Sequence, residues 1–179
     1  MKINHQKNIS GFTLIELLIV IAVMAILTTV VFVALNPLAR FQDARNNRRW
    51  TDVNAILSAI KLCQVDNGGL YCGEITDTRI EDDQEYMLGK CSGGTSGVSC
   101  SIPEDGTLNP TFCIDMDFYR DEAGGYLPAI PVDPSLSDDP NLNGIGYYFI
   151  RKSNGSLTIG SCFEEKGSGT AAPEISVTR

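Results

Sequence analysis

The sequence predicts an α+β chain in which one long N-terminal helix leads into a small sheet. Two observations carry this. Phe12–Leu35 is an apolar run broken only by Thr13, Glu16, Thr28 and Thr29, and it is followed by Val53, Ile56, Leu57, Ile60 and Cys63 at helical spacing. Downstream, Gly146–Arg151 and Ser156–Phe163 carry apolar and aromatic residues on either side of Ser153-Asn154-Gly155, a hairpin signal.

At about 1.5 Å per residue the first run makes a helix roughly 36 Å long, enough to cross a hydrocarbon core of about 30 Å with some tilt. An ordinary secretory signal has a shorter apolar stretch and a small-residue cleavage site after it. Here a charged leader, MKINHQKNISG, meets the span directly, and no A-x-A-like site follows. Glu16 is the anomaly, because a carboxylate at mid-bilayer costs about 2.5–3.5 kcal/mol and less near the interface. Its bland explanation is an acid snorkelling to the headgroups from the first turn.

Asn36-Pro37 punctuates the span, since proline removes a donor and disfavours helical geometry in the residue before it. We expect a kink there. The amphipathic continuation then covers a globular head with its apolar face, and Asp66-Asn67-Gly68-Gly69 stops it. The resulting division is a leader over 1–11, a membrane helix over 12–35, its amphipathic continuation over 36–66, a head over 67–166 and a mobile tail over 167–179. Thr111–Tyr119 is a further strand, whereas 73–110 shows little periodicity and receives no assignment. Leu127–Pro134, LPAIPVDP, is an extended scaffold connection fixed by its prolines.

The short basic leader ending in Gly11, then Phe12, Thr13, Leu14, Ile15, Glu16 and a continuous apolar helix, resembles the class III signal of type IV pilins and type II secretion pseudopilins. That resemblance implies scission between Gly11 and Phe12 by a prepilin peptidase, N-methylation of Phe12, and retention of Glu16 for assembly with Phe12 of a neighbouring subunit. It implies a pilin-like fold, the second half of the helix packed on an antiparallel sheet. It also implies storage as a single-pass inner-membrane protein with the head outside the cytoplasm, then extraction by an assembly platform into a filament of identical or related subunits. Gly11 suits a cut site because it lets the backbone approach an enzyme closely. On this reading the chain is a pilus subunit serving adhesion, motility or DNA uptake; the alternatives are a secretion pseudopilin and a bitopic surface protein that never polymerises.

Charge and chemistry fit a structural subunit. The net charge is −8, and losing Lys2 and Lys7 with the leader makes the mature chain more acidic still. That is a poor footprint for nucleic acid, and no specific nucleic-acid site is evident. The Lys/Arg count conflicts with the orientation, because Arg40, Arg45, Arg48 and Arg49 all follow the span. The leader and the cysteines outweigh it, since every cysteine lies after the span and oxidation requires that side to face outward. The arginines are read as a solvated face with Asp43 and Asp52 nearby, the alternative being contacts with lipid phosphates or acids of neighbouring subunits.

The six cysteines, Cys63, Cys72, Cys91, Cys100, Cys113 and Cys162, are expected to form disulfides. Zinc or redox chemistry is disfavoured, because there is no CxxC and the single histidine, His5, lies in the leader. Among the many pairings that remain open, we favour Cys63–Cys72 at the helix end, Cys91–Cys100 closing a Gly/Ser-rich loop, and Cys113–Cys162 joining the sheet. Asp139, Asn141, Asn143 and Gly144 match the opening of a calcium loop, but Ile150 stands where a bidentate glutamate belongs, so calcium is a candidate against an ordinary polar turn. No other cofactor is expected. No nucleophile of the mature chain has a histidine partner and no phosphate-cradling motif occurs, so the chain is not read as an enzyme.

Overall fold

The computed structural model describes residues 11–76, 80–89, 100, 113–120, 125–136 and 144–179. The chain divides into two compact units, Met1–Leu38 and Ala39–Arg179.

The first unit is built on α1, Leu14–Leu35, none of whose residues is buried. Helices of a soluble protein hide one apolar face; this one is apolar all round and hides nothing, the pattern of a segment whose solvent is lipid. Its two interior threonines are satisfied within the helix, Thr28 Oγ1 donating to the Met24 carbonyl (2.8 Å) and Thr29 Oγ1 to Ala25 (2.9 Å). No polar hydrogen is thereby left facing hydrocarbon. Asn36 ends the helix in a left-handed conformation, φ 40° and ψ 67°. The expected disturbance at Pro37 is thus a one-residue interruption. Proline excludes the preceding residue from ordinary helical geometry, and its own fixed φ suits the first position of the next helix.

That next helix, α2, spans Pro37–Asp66. Within the second unit its buried positions Val53, Ile56, Leu57 and Ile60 share one core cluster with Tyr86, Leu88, Ile114, Tyr147, Phe149 and Ile159 of the sheet. It stops where the sequence says: Asn67 N–H donates to Cys63 O and Gly69 N–H to Gln64 O, with Gly68 and Gly69 at φ 67° and 94°. A short 3-10 turn, Gly73–Thr76, follows.

Among the described residues the sheet comprises β1 (Glu85–Gly89), β2 (Cys113–Asp115), β3 (Gly144–Arg151), β4 (Leu157–Ser161) and β5 (Ser176–Thr178), in the order β2-β1-β3-β4-β5. A one-turn helix, α3 (Asp117–Arg120), lies between β2 and β3. The hairpin β3–β4 closes through the anticipated Ser153-Asn154-Gly155 turn, Gly155 at φ 83°. Three features differ from expectation. β2 runs parallel to β1, so the sheet is mixed; a parallel neighbour needs a connection of a dozen residues or more, and the chain between Gly89 and Cys113 supplies that length. Of the strand expected over Thr111–Tyr119, the described residues form one over Cys113–Asp115 before the chain turns into α3. And the segment read as a tail ends in β5, which pairs antiparallel with β4 through Ile159 and Val177.

The disulfides correct two of the three favoured pairings. Cys63–Cys72 forms as expected, Cα–Cα 6.2 Å. Cys100, however, bonds to Cys162, Cα–Cα 4.9 Å, which excludes both Cys91–Cys100 and Cys113–Cys162. Strand order explains the second failure. Cys113 lies on β2 and Cys162 continues β4, with β1 and β3 between them; three strand spacings of about 4.8 Å far exceed the roughly 7 Å that a disulfide spans. Cys113 is itself disulfide-bonded.

Candidate assembly site

The N-terminal site is built from two residue types at a fixed spacing. Thr13 caps α1 in an extended conformation, and T-x-x-E closes a reciprocal box: Glu16 N–H donates to Thr13 Oγ1 (3.3 Å), while Thr13 N–H and Oγ1–H both donate to Glu16 Oε2 (2.9 and 2.8 Å). The carboxylate also sits at the positive end of the helix dipole. The cost of an acid in the apolar run is therefore partly offset by donors one turn away. Thr13 was legible as half of a capping box, a role that attention to Glu16 alone misses.

Phe12 precedes the helix and is 88% exposed. Gly11 has open space where a side chain would stand, so the peptide bond joining these residues is approachable from outside. Gly11, Phe12 and Glu16 are thus brought within one exposed end of α1, outside any packed core.

A second constellation lies at the start of the amphipathic helix, where the sequence suggested a solvated basic face. Arg49 is wholly buried and clamps Asp133, equally buried, through Nε–Oδ2 at 2.7 Å and Nη2–Oδ1 at 2.9 Å. Its remaining donors reach Ser135 Oγ (3.2 Å), Asn46 Oδ1 (2.8 Å) and Glu165 Oε2 (3.1 Å). Arg45 forms a fork with Glu165, Nε–Oε2 at 2.6 Å. Asn46 pairs with the Glu165 backbone as a neighbouring strand would, Nδ2 donating to its carbonyl (2.6 Å) and Oδ1 accepting from its N–H (3.1 Å). Gln42 and Asp43 accept from the N–H groups of Gly167 and Ser168 at 3.1 and 3.0 Å.

The reading of this cluster as a solvated face is corrected for Arg45 and Arg49, whose partners are acids of their own chain more than eighty residues away. Arg40 and Arg48 fit it: both are exposed, Arg40 adding its charge to the Ser168 hydrogen bond that lowers the Asp43 pKa, and Arg48 lying 3.7 Å from Asp52. Electrostatics follow the contacts. The Arg45 hydrogen bond holds the Glu165 carboxyl below its usual value against the opposing effect of burial. Burial works against the Arg49 charge, but Asp133 and Glu165 together raise its pKa. Asp52 shifts upward through burial even though Tyr147 donates to it at 2.8 Å. What this constellation does chemically is fasten: it ties 133–135 and 165–168 to one helix face.

The candidate calcium residues Asp139, Asn141 and Asn143 lie outside the described residues, as do Cys91 and residues 1–10 of the leader. Asp133, close to that loop in sequence, is saturated by Arg49 and by the Ser135 N–H and hydroxyl, both on Oδ1.

An exposed apolar helix entered through a capped glutamate, with an open Gly-Phe bond before it, defines a membrane-anchored chain with an N-terminal processing signal. The prokaryotic N-terminal methylation motif matches residues 6–32, the class III prepilin-type signal of type IV pilins and pseudopilins. The motif implies processing by prepilin peptidase and assembly with other pilin subunits. No curated protein and no solved structure matches the chain.

Proposed function

We propose that the chain is a structural subunit of a type IV pilus-like filament, cleaved after Gly11, methylated on Phe12 and assembled from the inner membrane with its head outward. The observation that carries this is α1: a helix with no buried residue, directly behind the processing signal, has its burial still to come. Lipid provides it first. The packed helices of a fibre provide it afterwards.

Glu16 gives that transfer a register. Among the described residues its hydrogen bonds go to Thr13 alone, and they engage one carboxylate oxygen. Cleavage turns Phe12 into a cationic terminus at the end of a helix whose dipole disfavours positive charge. In a fibre the Phe12 amine of one subunit meets Glu16 of the next. Removing only the acid leaves an ammonium in an apolar core, at a cost of about 3–5 kcal/mol if burial is complete.

The test is a strain whose only copy carries Glu16→Ala. We expect wild-type membrane level, an N-terminus at methylated Phe12 and few or no sheared filaments. Wild-type filament yield would refute the role of Glu16, and an intact leader on assembled wild-type fibres would refute the processing. A pseudopilin carries the same signal; loss of protein secretion with surface fibres unaffected would assign the chain to that class instead.

A further inference from the structure

The geometry points to a binding site for a small quaternary or N-methylated ammonium compound, of the choline class, at the C-terminal end of α2. A cavity of about 390 Å³ opens there, and its lining residues include Tyr71, Phe118, Tyr126, Asp66 and the disulfide-bonded Cys63 and Cys72. That volume lies within the usual range of about 300–1,000 Å³ for small-molecule sites. None of these groups belongs to the processing signal or to the ion pairs on α2.

The walls are held in place. Tyr126 Oη donates to Asp66 Oδ2 at 3.1 Å, joining one ring to the carboxylate. Tyr71 Oη donates to the Gly155 carbonyl at 3.2 Å. Phe118 is 46% exposed, yet it stacks edge-on against buried Tyr119, ring centroids 5.4 Å apart. Its ring also covers Gly73, at φ 59°, where a Cβ would come within 3.1 Å of Phe118 Cδ1. The disulfide pins the segment bearing Tyr71 and Gly73 to the helix end that bears Asp66.

Everything in this cavity favours a cation. Aromatic faces are the negative pole of the ring quadrupole, Asp66 adds a full charge, and the C-terminal end of a thirty-residue helix adds a partial one that no basic side chain in its last turn offsets. The same inventory discriminates among cations. A primary ammonium brings three hydrogens that need acceptors. Among the described residues Asp66 Oδ2 already accepts from Tyr126, so part of the acceptor capacity an ammonium would need is taken. A quaternary head has no hydrogens to satisfy and sheds water readily, so it suits a lining that includes three aromatic residues.

Calorimetric titration of the full-length protein in non-ionic detergent tests this with choline, its neutral carbon isostere dimethylbutanol, and ethanolamine. We expect a saturable choline signal, with the isostere and ethanolamine each at least about tenfold weaker. Phe118→Ala should weaken choline roughly threefold to thirtyfold, and Phe118→Trp, which keeps a ring, should retain it. Asp66→Asn preserves an acceptor for Tyr126 and removes the charge, so it should weaken choline independently of any effect on the wall. Absence of a saturable choline signal overturns the proposal, as does equal binding of the isostere or of ethanolamine.

Discussion

Replacing Asp133 with alanine tests whether the buried arginine is an organising element or an incidental contact. The side chains of Arg49 and Asp133 are both 0% exposed, and the two guanidinium–carboxylate bonds are 2.7 and 2.9 Å long. Deleting one partner of a buried pair costs about 3–5 kcal/mol, because the other charge stays in a low-dielectric site without compensation. Arg49 keeps Glu165 at 3.1 Å, and that acid is only part-buried, so the lower end of the range, about 3 kcal/mol, is expected. For a chain of 179 residues this is a fall in melting temperature of about 6–12 °C, read by thermal denaturation of the oxidised protein in detergent. The double replacement Arg49→Met with Asp133→Leu removes both charges and should recover most of the loss, since an apolar pair of similar volume is often as stable as the ions it replaces. A loss below about 1 kcal/mol for Asp133→Ala, the typical value of an exposed pair, would refute the claim that this pair organises a buried site.

Non-reducing peptide mapping should recover a Cys63–Cys72 and a Cys100–Cys162 fragment; a Cys113–Cys162 fragment would contradict the strand order. Removing Cys100 and Cys162 together should cost about 2–4 kcal/mol, measured by denaturation against the intact chain. Acid should loosen the attachment of 165–168 to α2. The Arg45 hydrogen bond holds Glu165 below the ordinary carboxylate range, and the Ser168 N–H does the same for Asp43. A depressed carboxyl stabilises the fold above its unfolded pKa and loses that contribution as pH falls through the lower folded value, so faster amide exchange at Gly167 and Ser168 should set in below about pH 4. Asp52, raised by burial, has the opposite sign, and exchange at 167–168 that was flat through this window would defeat the assignment.

The elements that the sequence announced are those with one dominant environment. α1 is apolar on every side because lipid surrounds it, α2 has a 3.6-residue stripe because it covers a core, and the β3–β4 hairpin carries its turn in Ser153-Asn154-Gly155. β1 gave no such signal: Glu85–Gly89 is buried at all five positions, and a strand covered on both faces has no polar alternation to read. β5 is three residues long and exists by pairing with β4, which no local pattern encodes. At the N-terminal end the motif over residues 6–32 was legible because it is a contiguous string that needs no tertiary fold. The disulfides and the arginine clamp depend on residues brought together from distant positions, and spacing carries little information about them.

Arg49 shows why this boundary is physical. In sequence it has Asp52 three positions on, a neighbour on the same helical face, and three other arginines close by, so a solvated basic face was the natural reading. The fold instead turns Arg49 inward, because β3 packs on α2 beside it and Asp133 is drawn in by its N–H bond to the Ile145 carbonyl of that strand (2.9 Å). Asp52 is left to Tyr147, two residues further along the same strand. A charge clamped in this way adds little net stability over an apolar pair, but it admits few alternative arrangements. Slipping α2 by one turn would place Asp52 or Arg45 opposite Asp133, bringing a like charge in the first case and in the second abandoning the Glu165 fork. The clamp thus fixes the register of α2 against the sheet, as the Glu16–Phe12 pair is proposed to fix the register of one α1 against the next.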